Sequence, residues 1–580
     1  MRSRIGLKSA IVAGVLGLAA VLAAQTAQFQ PHFDADFPHV GGGYMNQRYS
    51  TLARIDKSNI NRLGAAWMVH PEGTVGGWMQ GTPVVVDGIM YMSTGHIWAR
   101  DARTGDLKWR YPTGSLGSTT NTNRGVAVAE GKVFSAAAGN TLVAVDQYTG
   151  ALVWKTQLAT RGNTNAPAIY YDGLVYMGVG GGESGVRGQF GAYDAKTGRE
   201  VWKFWTVPGP GEFGNDTWEG DSWKYGGAPV WTHPAIDAEL GTVYVPTGNA
   251  APDNDGSRRA GDNLFSVSII ALDLKTGQRK WHFQEVHHDI WDYDSPVAPV
   301  LADITYQGQP RKILMHGGKT GMVYILDRVT GKPLIGIDER PVPQEPRMKT
   351  AKTQPFAVGD TFVPTCPGPG SVQDGFPSGC MFTPYFKDPI AIAPGTDGGL
   401  SWAPMSYNPK TKLLYVCGTV NVSGHEFREQ TFDEKNGKLV TTAGTGRGFF
   451  RLPWPQPRSG TVSAIDPTIN KIVWQKKLPW PCGSGSGFLS TATGLLFHGE
   501  SDGNLVVHDA ESGNVLWKFQ TGAGADSPVA TYEAGGEQYI VIMAAGNQYM
   551  SSQMGDNLWA FKIGGTLPQA AAPALPGPKF

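Results

Sequence analysis

Three short stretches of this chain carry residues that could do chemistry. Gly180-Gly181-Gly182-Glu183 sets a carboxylate directly after three glycines, where the backbone can approach a flat ligand closely. Thr247-Gly248-Asn249 ends a β-branched run with a side-chain carbonyl. His287-His288-Asp289-Ile290-Trp291-Asp292-Tyr293-Asp294 packs three carboxylates and two imidazoles into eight positions. Oxygen donors of this kind, converging from separate stretches, suit a hard cation. The two imidazoles are read as packing groups beside the ligands, and an Asp after Trp has a plainer reading as a turn residue. On residue types alone these stretches define a hard-metal site and nothing narrower.

A repeat supplies the means of convergence. Ala99-x-Asp101-x-x-Thr104-Gly105-x-x-x-Trp109 returns at Ala144 to Trp154, Ala192 to Trp202 and Ala271 to Trp281. Looser copies run from Ala464 to Trp474 and from Val507 to Trp517, and an eroded one, Leu326 to Gly331, ends in Ile335. Asp and Thr-Gly make a tight turn between strands, and Trp is a flat wedge to set between adjacent sheets. With Trp67 the closing positions form a series of eight: 67, 109, 154, 202, 281, 335, 474 and 517. Such a unit buries its apolar face only against its neighbours. The predicted fold is therefore all-β, an eight-bladed β-propeller closed by tryptophan-docking motifs. The run from Asn557 to Lys562 is expected to complete a blade with the strand near Trp67, which would close the ring and remove its edges. The three chemistry-bearing stretches are the places where the repeat is broken.

Composition narrows the partners. Lys plus Arg and Asp plus Glu are equal at 49 each, so neither nucleic acid nor an anionic membrane surface is indicated. Arg2, Arg4 and Lys8, then an apolar or Gly run from Ala10 to Ala24 and small residues, read as an export signal over 1–27. The mature chain is expected to be periplasmic, with no membrane span. The propeller is assigned to 28–565, with inserted loops at about 338–400 and 422–458, and a Pro/Ala-rich tail to 566–580. Of four cysteines, Cys366 and Cys380 lie in a Pro/Gly-rich insertion where a crosslink would limit loop entropy. Cys417 and Cys482 are candidates for a second bridge. No Cys-x-x-Cys-His occurs, so this sequence carries no site for covalent haem.

At this point the residues resemble a known family, the pyrroloquinoline quinone (PQQ)-dependent alcohol dehydrogenases or quinoproteins. The resemblance rests on Gln47-Arg48-Tyr49-Ser50, Asn61 to Trp67, Gly185-Val186-Arg187-Gly188, Thr217-Trp218-Glu219-Gly220-Asp221, Thr247-Gly248-Asn249 and His288 to Asp292, besides the Trp repeats. It implies that Glu183, Asn249, Asp292 and Asp294 hold a metal, with Asp292 also the catalytic base. It likewise implies that Gln80, Arg124, Thr164, Gly181, Gly182 and Lys319 contact PQQ and that Trp231 forms the floor under its ring. These residue types fit: Arg can hold a carboxylate of PQQ with two parallel bonds, and an indole stacks on a flat cofactor. The implied reaction is alcohol oxidation by hydride transfer to PQQ, in a soluble form without a haem domain, with soluble cytochrome c or another acceptor taking the electrons.

Some positions depart from the family pattern. Ser118 and Thr119 stand where many relatives have adjacent disulfide-forming cysteines, and Gln80 replaces a Glu. Pro229 and Val230 stand where methanol enzymes have polar residues. Asp294 is an added carboxylate of the kind found in lanthanide-dependent relatives, yet the surrounding pattern also resembles the glucose-dehydrogenase branch. Ca2+ is the expected ion and a lanthanide the alternative. The Phe449 to Pro455 segment reads either as a surface loop or, with Trp402, as a wall favouring bulky or apolar alcohols. A sugar or polyol dehydrogenase and a non-catalytic propeller scaffold are the competing functions.

Overall fold

The computed structural model describes residues 34–72, 79–114, 123–433, 435–436, 438–441, 448–454 and 458–573. The expected export signal, Ser118, Thr119 and the last part of the tail lie outside the described residues. Four successive sheets are four-stranded antiparallel meanders: Val84–Val86 through Leu107–Pro112, Ala127–Ala129 through Leu152–Gln157, Ile169–Tyr171 through Glu200–Trp205, and Ala235–Asp237 through Arg279–Gln284. A three-stranded sheet follows, Val300–Tyr306, Gln309–Gly317 and Val323–Asp327. Ser406–Asn408, Leu413–Val420, Ser459–Asp466 and Lys471–Leu478 make the next. Leu489–Thr491 through Val515–Gln520 form another, with Tyr49–Ser50 added in parallel beside its first strand. In the last, Ala530–Ala534, Glu537–Ala544 and Asn557–Ile563 are joined by Leu63–Val69, with Trp67 opposite Ala560. The expected pairing of the last strand with the strand of Trp67 is thus present.

Five tryptophans of the repeat reach the turn of the following unit with their indole N–H. The indole Nε1 atoms of Trp109, Trp154, Trp202, Trp281 and Trp474 donate to the carbonyls of Gln147, Ala195, Leu274, Arg328 and Ala510, at 3.0–3.2 Å. Each acceptor is the residue after the repeat Asp, whose carboxylate holds the turn; Asp146 Oδ1, for example, accepts from the Thr149 amide and hydroxyl, both at 2.8 Å. The Thr-Gly glycine lies flat on the preceding indole. A Cβ on Gly150 would come 2.5 Å from Trp109 Cε3, and one on Gly331 2.5 Å from Trp281 Cε3. A tyrosine completes the contact in several units. Tyr176, Tyr244 and Tyr415 hydroxyls donate to the same carbonyls of Leu274, Arg328 and Ala510. Where Trp67 makes no such bond, Tyr532 donates to Ala102 O at 2.6 Å.

The N-terminal segment ties the sheets together. Arg48 is fully buried and donates to the carbonyls of Val40, Phe488 and Val529, while Asn46 Nδ2 reaches Pro234 O and Pro299 O. Both disulfides exist, Cys366–Cys380 and Cys417–Cys482. The stretch after Asp327, which shows no regular pattern in sequence, contains a hairpin of Ile337–Pro341 with Thr353–Ala357 and a small sheet that includes Ile390–Ile392, Ser423–His425 and Phe449–Phe450.

The glycine contact can be isolated within one sheet. Gly331 and Gly308 share a left-handed φ, 73° and 75°, but a Cβ on Gly308 meets nothing within 4 Å. Gly308→Ala is expected to cost about 1–2 kcal/mol through backbone strain alone. Gly331→Ala should cost a further ~1–3 kcal/mol from overpacking on Trp281. Chemical denaturation of the two variants measures the difference; equal losses would mean the indole contact contributes nothing.

Candidate functional site

The predicted site residues come from two recurring places in the units. Gln80, Arg124, Thr164, Trp231 and Asp292 precede the first strand of a sheet, whereas Gly181 to Glu183, Asn249 and Lys319 follow a second strand. First and second strands are antiparallel neighbours, so the entry to one and the exit from the other share an edge. One rim therefore receives residues far apart in the chain.

The loop from His287 to Asp294 is built by Asp289. Its buried carboxylate accepts from the amides of Trp291 at 2.9 Å and Tyr293 at 3.1 Å. Trp291 Nε1 and the Tyr293 hydroxyl anchor the loop on Thr383 O and Pro394 O, each at 2.8 Å. Asp292 is held at φ 61°, a region rarely adopted by non-glycine residues. His288 is a packing group, as read from sequence: its two ring nitrogens lie 2.8 Å from the carbonyls of Gly261 and Met348, and burial pushes it down to about 3.

Asp292, Asp294 and Lys319 form a buried ion cluster. The Lys319 ammonium lies 3.1 Å from a carboxylate oxygen of each Asp and donates to Asp292 O at 2.7 Å. Burial pushes the Asp292 carboxyl well up, opposed by Lys319 and reinforced by Asp294, Asp253 and Glu183. Asp294 is also raised, chiefly by burial. For Lys319, burial acts downward but the two carboxylates outweigh it, so its pKa is raised. Asp294 Oδ1 accepts from the Asn249 amide, which joins the cluster to the end of the Thr242–Pro246 strand.

Several buried polar atoms of the predicted site residues and of Asn163 and Asn165 have no hydrogen-bond partner: Asp292 Oδ1, Asn249 Oδ1, Gln80 Oε1, Asn163 Oδ1, Asn165 Oδ1 and Arg124 Nε. Unmet oxygens of this kind are costly unless a ligand or ion completes them. Asn249 Oδ1 lies 3.1 Å from where a Cβ on Gly182 would stand, which places it beside the short helix Gly182–Ser184 carrying Glu183. The donor set is all oxygen and suits a hard cation. Among the described residues, Glu183, Asp292 and Asp294 are not drawn within 4.8 Å of one another, and Lys319 bridges the two aspartates.

Arg124 and Trp231 also meet. The guanidinium lies 4.5 Å from the Trp231 ring centroid and 5.2 Å from that of Trp402, and Nη1 donates to Trp231 O at 3.1 Å. Burial pushes Arg124 down to about 9. Gly180 packs between Asn165 and Trp231, a Cβ there standing 2.5 Å from Asn165 Oδ1 and 3.3 Å from Trp231 Cβ. The Thr164 hydroxyl donates to Ala137 O at 3.1 Å, which leaves its lone pairs as acceptors. Phe449 packs on His425 and Trp454 on Phe376, within the insertions, while Trp402 adjoins Arg124. Asn163 and Asn165 went unnoticed in sequence; an Asn-x-Asn following Gly162, with no strand pattern of its own, was the available signal.

A rim of unmet oxygens over sheets locked by indoles defines a cofactor-binding β-propeller. Residues 37–540 match the family described as PQQ: Glucose/ethanol/alcohol dehydrogenase, beta-propeller domain. The chain is 36% identical over 582 residues to the quinohemoprotein alcohol dehydrogenase of Comamonas testosteroni, covering 92% of this chain and 78% of that one. It is 31% identical to the quinoprotein alcohol dehydrogenase PedH of Pseudomonas putida, covering 92% of each. The solved structure of the Comamonas testosteroni protein superposes with a TM-score of 0.77, over 95% of this chain and 83% of that one, at 31% identity. The chain belongs to the PQQ-dependent alcohol dehydrogenase family and is an enzyme of that class.

Lys319→Met leaves two buried carboxylates side by side with no counter-charge. It should lower stability by about 3–5 kcal/mol at neutral pH. Lys319→Met combined with Asp294→Asn should recover part of the loss, measured by denaturant unfolding. Full additivity of the two changes would show that they do not act on one another.

Proposed function

We propose that this enzyme is exported to the periplasm and oxidises an alcohol to an aldehyde or ketone, with Asp292 as base and an eight-bladed ring as scaffold. The observation that carries the assignment of Asp292 is its unmet, buried Oδ1 at the centre of the ion cluster. When bound, PQQ supplies the acceptor for hydride from the carbinol carbon, and a metal ion beside it supplies Lewis-acid polarisation. The residues fit these groups. Glu183 and the Oδ1 atoms of Asn249 and Asp292 offer oxygens to a cation; Arg124, Lys319 and Gln80 offer polar contacts to a carboxylated, planar cofactor; and Trp231 with Gly180 to Gly182 offers an aromatic face beside an open backbone.

Asp292 takes the hydroxyl proton, while Lys319, bound to its Oδ2, orients the carboxylate and opposes the upward push of burial. Asp294, held by the Asn249 amide and by Lys319, adds a carboxylate beside the site, where Ca2+ is the expected ion and a lanthanide the alternative. Trp402 adds an aromatic wall next to Arg124 and favours an alcohol with an apolar carbon skeleton. An acceptor such as a soluble cytochrome c takes the electrons from the reduced cofactor.

Reconstitution with PQQ and Ca2+, or with PQQ and a light lanthanide, followed by dye reduction over an alcohol panel, tests the reading. Activity is expected with Ca2+ and a non-sugar alcohol. Asp292→Asn should reduce kcat by about 10²–10⁴-fold without unfolding the protein. Because Asp292 must be ionised to act, kcat/KM of the native enzyme should rise with pH as its carboxyl loses its proton. Survival of that limb in Asp292→Asn would assign the base elsewhere.

A further inference from the structure

A second cluster, made of residues other than those of the predicted site, lies on the sheet of Leu489–Thr491 through Val515–Gln520. His498 is on Leu495–Gly499 and His508 on Asn504–Asp509, and the register pairs His498 with Val506 and Leu496 with His508. The two imidazoles are thus diagonal neighbours on one face of the sheet. Their Nε2 atoms approach to 2.9 Å, with the rings within 21° of coplanar. His498 Nδ1 lies 3.1 Å from Gly499 O, and His508 Nδ1 lies 3.0 Å from Gly513 O.

Those carbonyls settle the tautomers. A carbonyl only accepts, so both Nδ1 atoms carry the hydrogen and both Nε2 atoms carry a lone pair. Two lone pairs then face each other at hydrogen-bond distance, which is repulsive unless a cation lies between them. Glu500 supplies a third donor: its Oε1 is 3.8 Å from His498 Nε2, and one ligand atom from each of the three lies within 4.8 Å of the others. All three side chains are buried, the His498 ring against Phe488. Anchoring of Nδ1 on a backbone carbonyl is the usual arrangement for metal-bound histidine. A shared proton is the other way to relieve the repulsion, but it puts an imidazolium in a fully buried position.

We propose that His498, His508 and Glu500 form a structural site for a borderline divalent cation of the Zn2+ class. The two nitrogens and one oxygen match the ligand preference of that class, and the 2.9 Å and 3.8 Å separations need small adjustments for ligand bonds of about 2.0–2.2 Å. The Cys417 and Cys482 sulfurs are also within 4.8 Å of the His498 nitrogen, but in a disulfide they have no thiolate to offer. The ion would clamp two strands where the disulfide crosslinks the neighbouring sheet. Lys518 Nζ, half-exposed and 3.7 Å from Glu500 Oε2, marks the side open to solvent.

Full-length protein with its disulfides intact, stripped by a chelator, is titrated with Zn2+ and with Co2+. Expected are one tight Zn2+ equivalent, a visible d–d band with Co2+ and a Tm raised by a few degrees. His508→Gln should abolish this equivalent, and Glu500→Gln, a change of minimal volume, should weaken it at least about tenfold while the circular dichroism spectrum is unchanged. Asp294→Asn, which alters the rim site, should leave it intact. If native protein takes up no Zn2+ beyond what Asp294→Asn loses, or if both His508→Gln and Glu500→Gln bind Zn2+ as the native protein does, the imidazoles share a proton and the proposal is wrong.

Discussion

The contact on which the rest of this structure depends is an indole N–H reaching across to a backbone carbonyl in the next unit. It is a joint of three parts. The Asp carboxylate fixes the turn so that the carbonyl points outward, the glycine removes the Cβ that would hold the ring away, and the indole fills the gap. Because every part is local, the joint repeats with little variation from Trp109 to Trp281 and returns at Trp474. It aligns successive sheets so that the loops entering first strands and leaving second strands share one rim. The chemistry of the rim is then free to vary, since none of its residues is needed for the joint.

Charge burial is managed in the same spirit but at single places. Arg48 satisfies its guanidinium on the nearby Val40 carbonyl and on carbonyls from two distant segments, and this accounts physically for a Gln-Arg-Tyr-Ser stretch that precedes the first repeat. At the rim, Lys319 compensates Asp292 and Asp294, an arrangement that is strongly favourable only while all three groups are present. The remaining lone pairs of Asp292, Asn249 and Gln80 are unmet by protein donors, and that incompleteness separates a binding site from an ordinary buried ion network.

Much was legible before any coordinates. The spacing of Asp, Thr-Gly and Trp implied an all-β repeat, and the stretches that broke it, at Glu183, Asn249 and Asp292, are the ones the structure places around the buried cluster. Other residues were hidden for definite reasons. The tyrosines that share the Trp acceptors sit on strands where an aromatic residue is unremarkable. The bond of the Thr164 hydroxyl to Ala137 O cannot be recognised from its own sequence neighbours. His498 and His508 are ten positions apart on different strands, and only the register makes them diagonal partners.

The sequence by itself determined the joint, because a turn, a missing Cβ and a flat ring are properties of neighbouring residues and survive as a readable pattern. It also determined the chemical inventory of the rim and, through long ordered motifs, the family. Tertiary structure alone decided which charges compensate one another, which oxygens are left unmet, and which imidazole nitrogens face each other. Those outcomes depend on distances of a few ångströms between residues tens or hundreds of positions apart, and hydrogen bonding and Coulomb energy are settled over that range.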